Sequence, residues 1–122
     1  MQFRPEQHLR RQDDFRRMRT QGRRLDRGAF TMLWRRRDTA ETAPPPVVRV
    51  GVVASTAAVG GAVRRNAAKR RLRELFRRHQ DLIPAGTDLL LVARASLNRL
   101  RFAEADARFV DACRQLAPRN DE

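Results

Sequence analysis

Residues 62–78 (AVRRNAAKRRLRELFRR) hold eight Lys or Arg and a single acid, Glu74. The apolar spacing Ala68, Leu72, Leu75, Phe76 is nevertheless that of a helix packed along one side. At about 100° per residue, Asn66, Lys69, Arg70, Arg73 and Arg77 share an arc of roughly 100° facing away from Leu75. Arg64, Arg71 and Arg78 recur every seven residues along a second flank. So many like charges on one helix are tolerable only where solvent or a polyanion absorbs their repulsion. Guanidinium groups pair with phosphate through forked hydrogen bonds, which makes nucleic acid the expected partner of this helix.

The charge is concentrated. The chain has 122 residues and a net charge of +13, of which residues 1–37 carry +8 and residues 62–80 carry +7, while 38–61 and 81–122 are each −1. A footprint gathers charge in this way, whereas a generally charged scaffold spreads it. Of the 27 basic residues, 26 are Arg, and Lys69 is the one Lys. A GC-rich genome accounts for that bias as readily as selection for bidentate phosphate contacts does. The length fits one domain with one core, here a single RNA-binding domain over 1–122. Cys113 is the only cysteine, so neither a disulfide framework nor a paired-cysteine metal site is expected. No stretch approaches the roughly 20 apolar residues that span a bilayer, and no membrane role is expected.

Along the chain, residues 1–8 read as a flexible N-terminus and Leu9–Thr20 as a short helix closed by Gly22. Phe15 and Met18 mark its apolar side, and Asp13 and Asp14 sit near its start, where the helix dipole favours anions. Phe30, Met32 and Trp34 alternate with Thr31, Leu33 and Arg35 as in a strand. Residues 38–46, ending in three prolines, read as a hairpin loop that returns the chain as a second strand, 47–54. The basic helix is expected over 62–80, a buried strand over 88–93, and a last helix with Phe102, Ala105, Phe109, Cys113 and Leu116 on its core face. Residues 118–122 form a tail. The order α-β-β-α-β-α describes an α+β sandwich with one small sheet.

From Gly61 to Glu74 (GAVRRNAAKRRLRE) the chain resembles the bacterial ribonuclease P protein component family, whose signature is A-V-x-R-N-x-x-K-R-x-x-R-[E/Q]. The flanks agree in order and spacing: Leu9-Arg10-Arg11, Asp14-Phe15 and Gly22 before it, then Arg49-Val50-Gly51, and after it Ala85-Gly86-Thr87-Asp88, Ala93-Arg94 and Phe102-Ala103-Glu104. The likeness covers roughly residues 9–117. There are departures of two kinds, in charge and in aromatics. Ala67 stands where Arg is commonest, and Thr56-Ala57-Ala58, with one extra residue before Gly60, replaces a segment that often carries Lys. Each absent charge-assisted contact would be worth about 1.5–3 kcal/mol if fully formed. Aromatics common in the family at the positions of Arg19 and Leu33 are also missing. Trp34, one residue along, falls on the opposite face of the pleat and is expected in the core.

The resemblance implies a sandwich of the ribosomal protein S5 domain 2-like kind with a left-handed βαβ crossover. It also implies an accessory subunit, in 1:1 complex with a catalytic RNA, of a cytoplasmic bacterial ribonucleoprotein that removes the 5′ leader of precursor tRNA. The protein itself is expected to be a monomer. Mg²⁺ would serve the RNA-based holoenzyme, with no dedicated metal or cofactor site on the protein. Contacts to the catalytic RNA are expected from Arg64, Arg65, Asn66, Lys69, Arg70, Arg73 and Arg77. Asn66 could instead tie down the turn before the helix. The leader would lie in a cleft lined by Phe15, Arg16, Arg19, Thr31 and Leu33. Neither His8 nor His79 has an evident carboxylate, Ser or Cys partner in the sequence, so no catalytic residue is assigned. A ribosomal or RNA-chaperone protein of similar fold would share the charge and the basic helix but not the flanking matches.

Overall fold

The computed structural model describes residues 12–37 and 48–116, the side chains of 12–14 excepted. The expectations for 1–8, for the 38–46 loop, for the 118–122 tail and for the side chains of Asp13 and Asp14 lie outside the described residues. Helix α1 (Gln12–Gln21) leads into strands β1 (Arg23–Asp26), β2 (Phe30–Arg36) and β3 (Arg49–Val53). A one-turn helix α2 (Thr56–Val59) precedes the long α3 (Ala62–His79), and β4 (Thr87–Ala93) and α4 (Phe102–Leu116) complete the fold. The four strands form one sheet in the order β1-β2-β4-β3.

Strand β4 explains that order. Leu89, Leu90 and Leu91 are consecutive and all buried, so both faces of this strand must be covered. It runs centrally, antiparallel to β2 (Met32 opposite Leu91) and parallel to β3 (Val50 opposite Leu89). The expected hairpin between β2 and β3 is therefore not formed, because β4 occupies the place between them. The hairpin partner of β2 is instead β1, with Arg23 opposite Trp34 and Asp26 opposite Thr31. Three of the four β1 residues are charged, which suits an exposed edge but hides the strand from any hydrophobic alternation.

Sheet alternation divides the core. Phe30, Met32, Val50, Leu89, Leu91 and Ala93 face α3 and α4, meeting Ala68, Leu72, Leu75 and Phe76 from one helix and Ala105, Phe109, Ala112, Cys113 and Leu116 from the other. The rings of Phe30 and Phe109 lie 6.1 Å apart, tilted by 49°. Trp34 packs against this cluster, as its place in the pleat predicts, with the Arg23 guanidinium 5.7 Å from its ring centre. Leu90 faces the other way, toward α1, whose Met18 is fully buried. Gly22 closes α1 because a Cβ there would lie 2.4 Å from the Met18 carbonyl oxygen.

One buried polar row crosses the sheet. Asp88, 2% exposed, lies between Arg35 on β2 and Arg49 on β3 in the strand register. Arg49 donates to both carboxylate oxygens, at 2.9 and 2.8 Å, the Arg37 guanidinium bonds one of them, and Arg35 stands 3.7 Å away. A carboxylate can be buried this deeply only with such partners.

Candidate nucleic-acid interface

Helix α3 starts at Gly61, which offers no side-chain cap, and packs on β3, β4 and α4. The preceding turn is held by Ser55, whose Oγ accepts from the Ala58 amide at 3.1 Å and so caps α2. Gly60 has φ +115°, and a Cβ there would sit 2.9 Å from Cδ of Arg64, whose side chain folds back over it. Asn66 is exposed and its amide makes no hydrogen bond, so the alternative in which it ties down the turn is not what the structure shows.

The eight cations of the helix separate into two sets. Arg71, Arg77 and Arg78 are engaged within the protein. Arg71 donates to the carbonyls of Leu97 and Leu100 at 2.9 and 2.7 Å, fastening the 3₁₀ turn Leu97–Arg99 against α3. Glu74 accepts from Arg77 at 2.9 and 2.6 Å and from Arg78 at 3.1 Å, and Arg78 also lies 4.8 Å from the ring centre of Phe102. The Arg77 hydrogen bonds first, and Arg78 second, hold the Glu74 carboxyl down to about 2, well below its ordinary 4.5. Arg77 thus shares the helix arc of Asn66, Lys69, Arg70 and Arg73 but is already paired with a carboxylate.

Arg64, Arg65, Lys69, Arg70 and Arg73 form the second set. Among the described residues none of them has an ion pair or a side-chain hydrogen bond, and Nε of Arg65 is buried without a partner. They lie along the N-terminal two-thirds of the helix: Arg64, Asn66, Arg70 and Arg73 are exposed, while Arg65 and Lys69 are half-buried on the flank nearer the core. Val63, 84% exposed, stands in the first turn of the same surface, so the apolar position of the signature is not a core residue here.

The second expected site lies on the opposite face of the sheet. Helix α1 packs over β2 and β4, with half-buried Phe15 on the same side as Met18 and exposed Arg19 one turn on from Phe15. Arg16 is exposed on the neighbouring flank. Thr31 (3% exposed) and Leu33 alternate with the core-facing residues of β2 and therefore lie on the α1 side. They stand in register with Val92 and Leu90 of β4, which in turn oppose Val53 and Gly51 of β3. This floor includes a cation that the sequence reading did not single out: Arg94 Nη1 donates to Thr31 Oγ1 at 3.4 Å. Two-residue alternation onward from Val92 would have pointed to it.

His79 does have a carboxylate partner, contrary to expectation. Its Nε2 lies 2.7 Å from Oδ1 of Asp106, joining the end of α3 to α4, with the Phe109 ring centre 6.1 Å away. The two residues are 27 positions apart in sequence, which hid the contact. Among the described residues, no three His, Cys, Asp or Glu side chains gather as metal ligands. No described helix is long and apolar enough to cross a membrane.

Among the described residues, this α+β sandwich carries five cations without a side-chain partner on one helix, with Leu33 and exposed Arg94 beside α1 on the other side of the sheet, a distribution of charge that suits a polyanion. A family model described as Ribonuclease P matches residues 3–117. The chain is 45% identical over 95 residues to the ribonuclease P protein component of Streptomyces griseus, covering 74% of this chain and 73% of that one. It is 38% identical over 116 residues to the namesake from Bordetella petrii, covering 86% and 90%. The solved RNase P protein from Thermotoga maritima superposes with a TM-score of 0.75 at 27% identity, over 91% of this chain and 98% of that one. The RNase P protein of Staphylococcus aureus shares the fold, with a TM-score of 0.74 at 21% identity over 91% and 98%. The chain belongs to the ribonuclease P protein family.

Proposed function

We propose that this chain is the accessory protein subunit of a ribonuclease P ribonucleoprotein, binding a catalytic RNA one to one and assisting removal of the 5′ leader from precursor tRNA. The observation that carries this reading is the division of charge on α3. Arg64, Arg65, Lys69, Arg70 and Arg73 have no side-chain partner among the described residues, although one carboxylate, Glu74, holds both Arg77 and Arg78 a turn away. Unpaired cations on a rigid helix, with Asn66 as an added donor, suit the phosphates of a structured RNA. Arg77 would join them only by leaving Glu74.

The cleft beside α1 would receive the single-stranded leader. Phe15 offers a ring for a base, worth about 1–3 kcal/mol if stacked. Arg16, Arg19 and Arg94 supply charge, and Thr31 and Leu33 form the floor. With Arg in place of an aromatic at position 19 and Leu at position 33, leader binding rests more on charge than on stacking. We assign no catalytic residue to the protein. His79 and Asp106 tie two helices together, and Mg²⁺ would be held by the RNA.

Nucleic acid that copurifies with the protein discriminates between readings. One structured RNA of several hundred nucleotides is the expected result. Ribosomal RNA would instead favour a ribosomal or chaperone role.

A further inference from the structure

Residues 81–122 carry a net charge of −1, which suggests that the C-terminal third contributes nothing to an RNA footprint. The fold shows why that sum misleads. Three of its described acids have partners in other elements: Asp88 is buried among Arg35, Arg37 and Arg49, Asp106 meets His79, and Asp111 meets Arg27 at 3.3 Å. Arg99 and Arg101 are exposed and form no ion pair among the described residues. Glu104, one turn into α4, is the acid nearest to them in sequence and pairs with neither.

These two arginines are also fixed in place. The 3₁₀ turn is stitched to α3 by Arg71, which holds the carbonyls of Leu97 and Leu100, and by Asn98, whose Nδ2 donates to the Arg64 carbonyl at 3.0 Å. Arg99 and Arg101 flank Leu100, whose carbonyl is one of the two that Arg71 holds. Arg71, at a position that could have met RNA, is used to anchor this segment.

We infer that Arg99 and Arg101 extend the α3 footprint, so that one RNA backbone is gripped from two elements joined by Arg71 and Asn98. This rests on the reading of α3 as the surface for the catalytic RNA. With about 0.9 of log–log slope per phosphate contact, five α3 cations give a slope of about −4.5 and two more bring it to about −6.3. Between 50 and 200 mM salt, the fall in affinity then grows from about 500-fold to about 6,000-fold.

The test is filter binding of the full-length protein to the catalytic RNA across that salt range. Four proteins are compared: wild type, Arg99→Ala/Arg101→Ala, Arg65→Ala/Lys69→Ala, and Arg114→Ala on the exposed face of α4. Both double variants should lose about two units of slope while Arg114→Ala keeps the wild-type value. A loss confined to Arg65→Ala/Lys69→Ala overturns the extension and leaves the α3 footprint standing. Unchanged slopes in both double variants overturn the α3 footprint as well. An Arg114→Ala loss per charge equal to that of Arg99→Ala/Arg101→Ala would also overturn the extension, because the effect would then follow net charge and not place.

Discussion

Glu74 clasps Arg77 through two hydrogen bonds, 2.9 and 2.6 Å long, and so ends the run of unpaired cations on α3. Replacing it should release Arg77 and Arg78 to the RNA. Glu74→Gln is expected to bind the catalytic RNA more tightly at low salt and to steepen the slope by up to about two units. Filter binding against salt measures both quantities. An unchanged slope would mean that these arginines lie beyond the RNA's reach.

The same contact sets a pH expectation. A carboxyl held down to about 2 contributes stability that is present above its ordinary 4.5 and is lost as pH falls through about 2. The pair therefore persists from pH 8 to pH 5, and the salt slope for RNA should not vary over that window through Glu74. Comparing the slopes of wild type and Glu74→Gln at pH 5 and pH 8 checks this. Convergence of the two at pH 5 would contradict it.

Asp88→Asn should be among the most damaging single changes to stability. It leaves the Arg37 and Arg49 guanidiniums beside a buried neutral amide at one end of the sheet. The expected cost is about 3 kcal/mol, as for breaking a buried ion pair by removing one partner. Urea unfolding at pH 7 reads it directly, and a loss within about 0.5 kcal/mol, the range of surface substitutions, would contradict a structural role for the row.

Burial pushes the Cys113 thiol up to about 12, with a smaller contribution from Asp81. At pH 8 the native thiol is neutral and enclosed between α4 and the sheet, so a disulfide reagent should react only after unfolding. Between its ordinary 9.0 and about 12 the unfolded chain loses this proton and the native one keeps it, so stability should fall as pH rises through that range. Rapid labelling of the folded protein at pH 8 would contradict the burial.

In the holoenzyme, Phe15→Ala should narrow the preference for precursor over mature tRNA by about 1–3 kcal/mol while leaving assembly with the catalytic RNA near normal. Arg19→Ala should act mainly at low salt, since an exposed cation works through screened electrostatics. Affinities for both tRNAs at two salt concentrations decide the matter. Equal preference in wild type and both variants would remove these residues from the leader site.

Helix α3 was legible because its apolar spacing and its charge agree, and Ala68, Leu72, Leu75 and Phe76 are all buried as that spacing requires. The last helix was equally plain: Ala105, Phe109, Cys113 and Leu116 form its core face. What escaped was non-local. Periodicity placed Arg71 and Arg77 among the helix cations but could not show that the first is clamped to carbonyls 26 and 29 residues away. Nor could it show that β3 would pair with β4 and not with the strand before it, since pairing depends on which strand needs both faces covered. Strand β1, with one apolar residue in four, carries no hydrophobic signal at all.

The most direct measurement is 5′ processing of precursor tRNA by the catalytic RNA in dilute Mg²⁺, with the protein titrated in. Wild type and Arg114→Ala should stimulate cleavage at equal concentrations. Arg65→Ala/Lys69→Ala/Arg73→Ala should need far more protein for the same rate, and the RNA-free protein should cleave nothing. Cleavage by nuclease-treated protein alone, or stimulation by the triple variant indistinguishable from wild type, would contradict an accessory subunit that acts through α3.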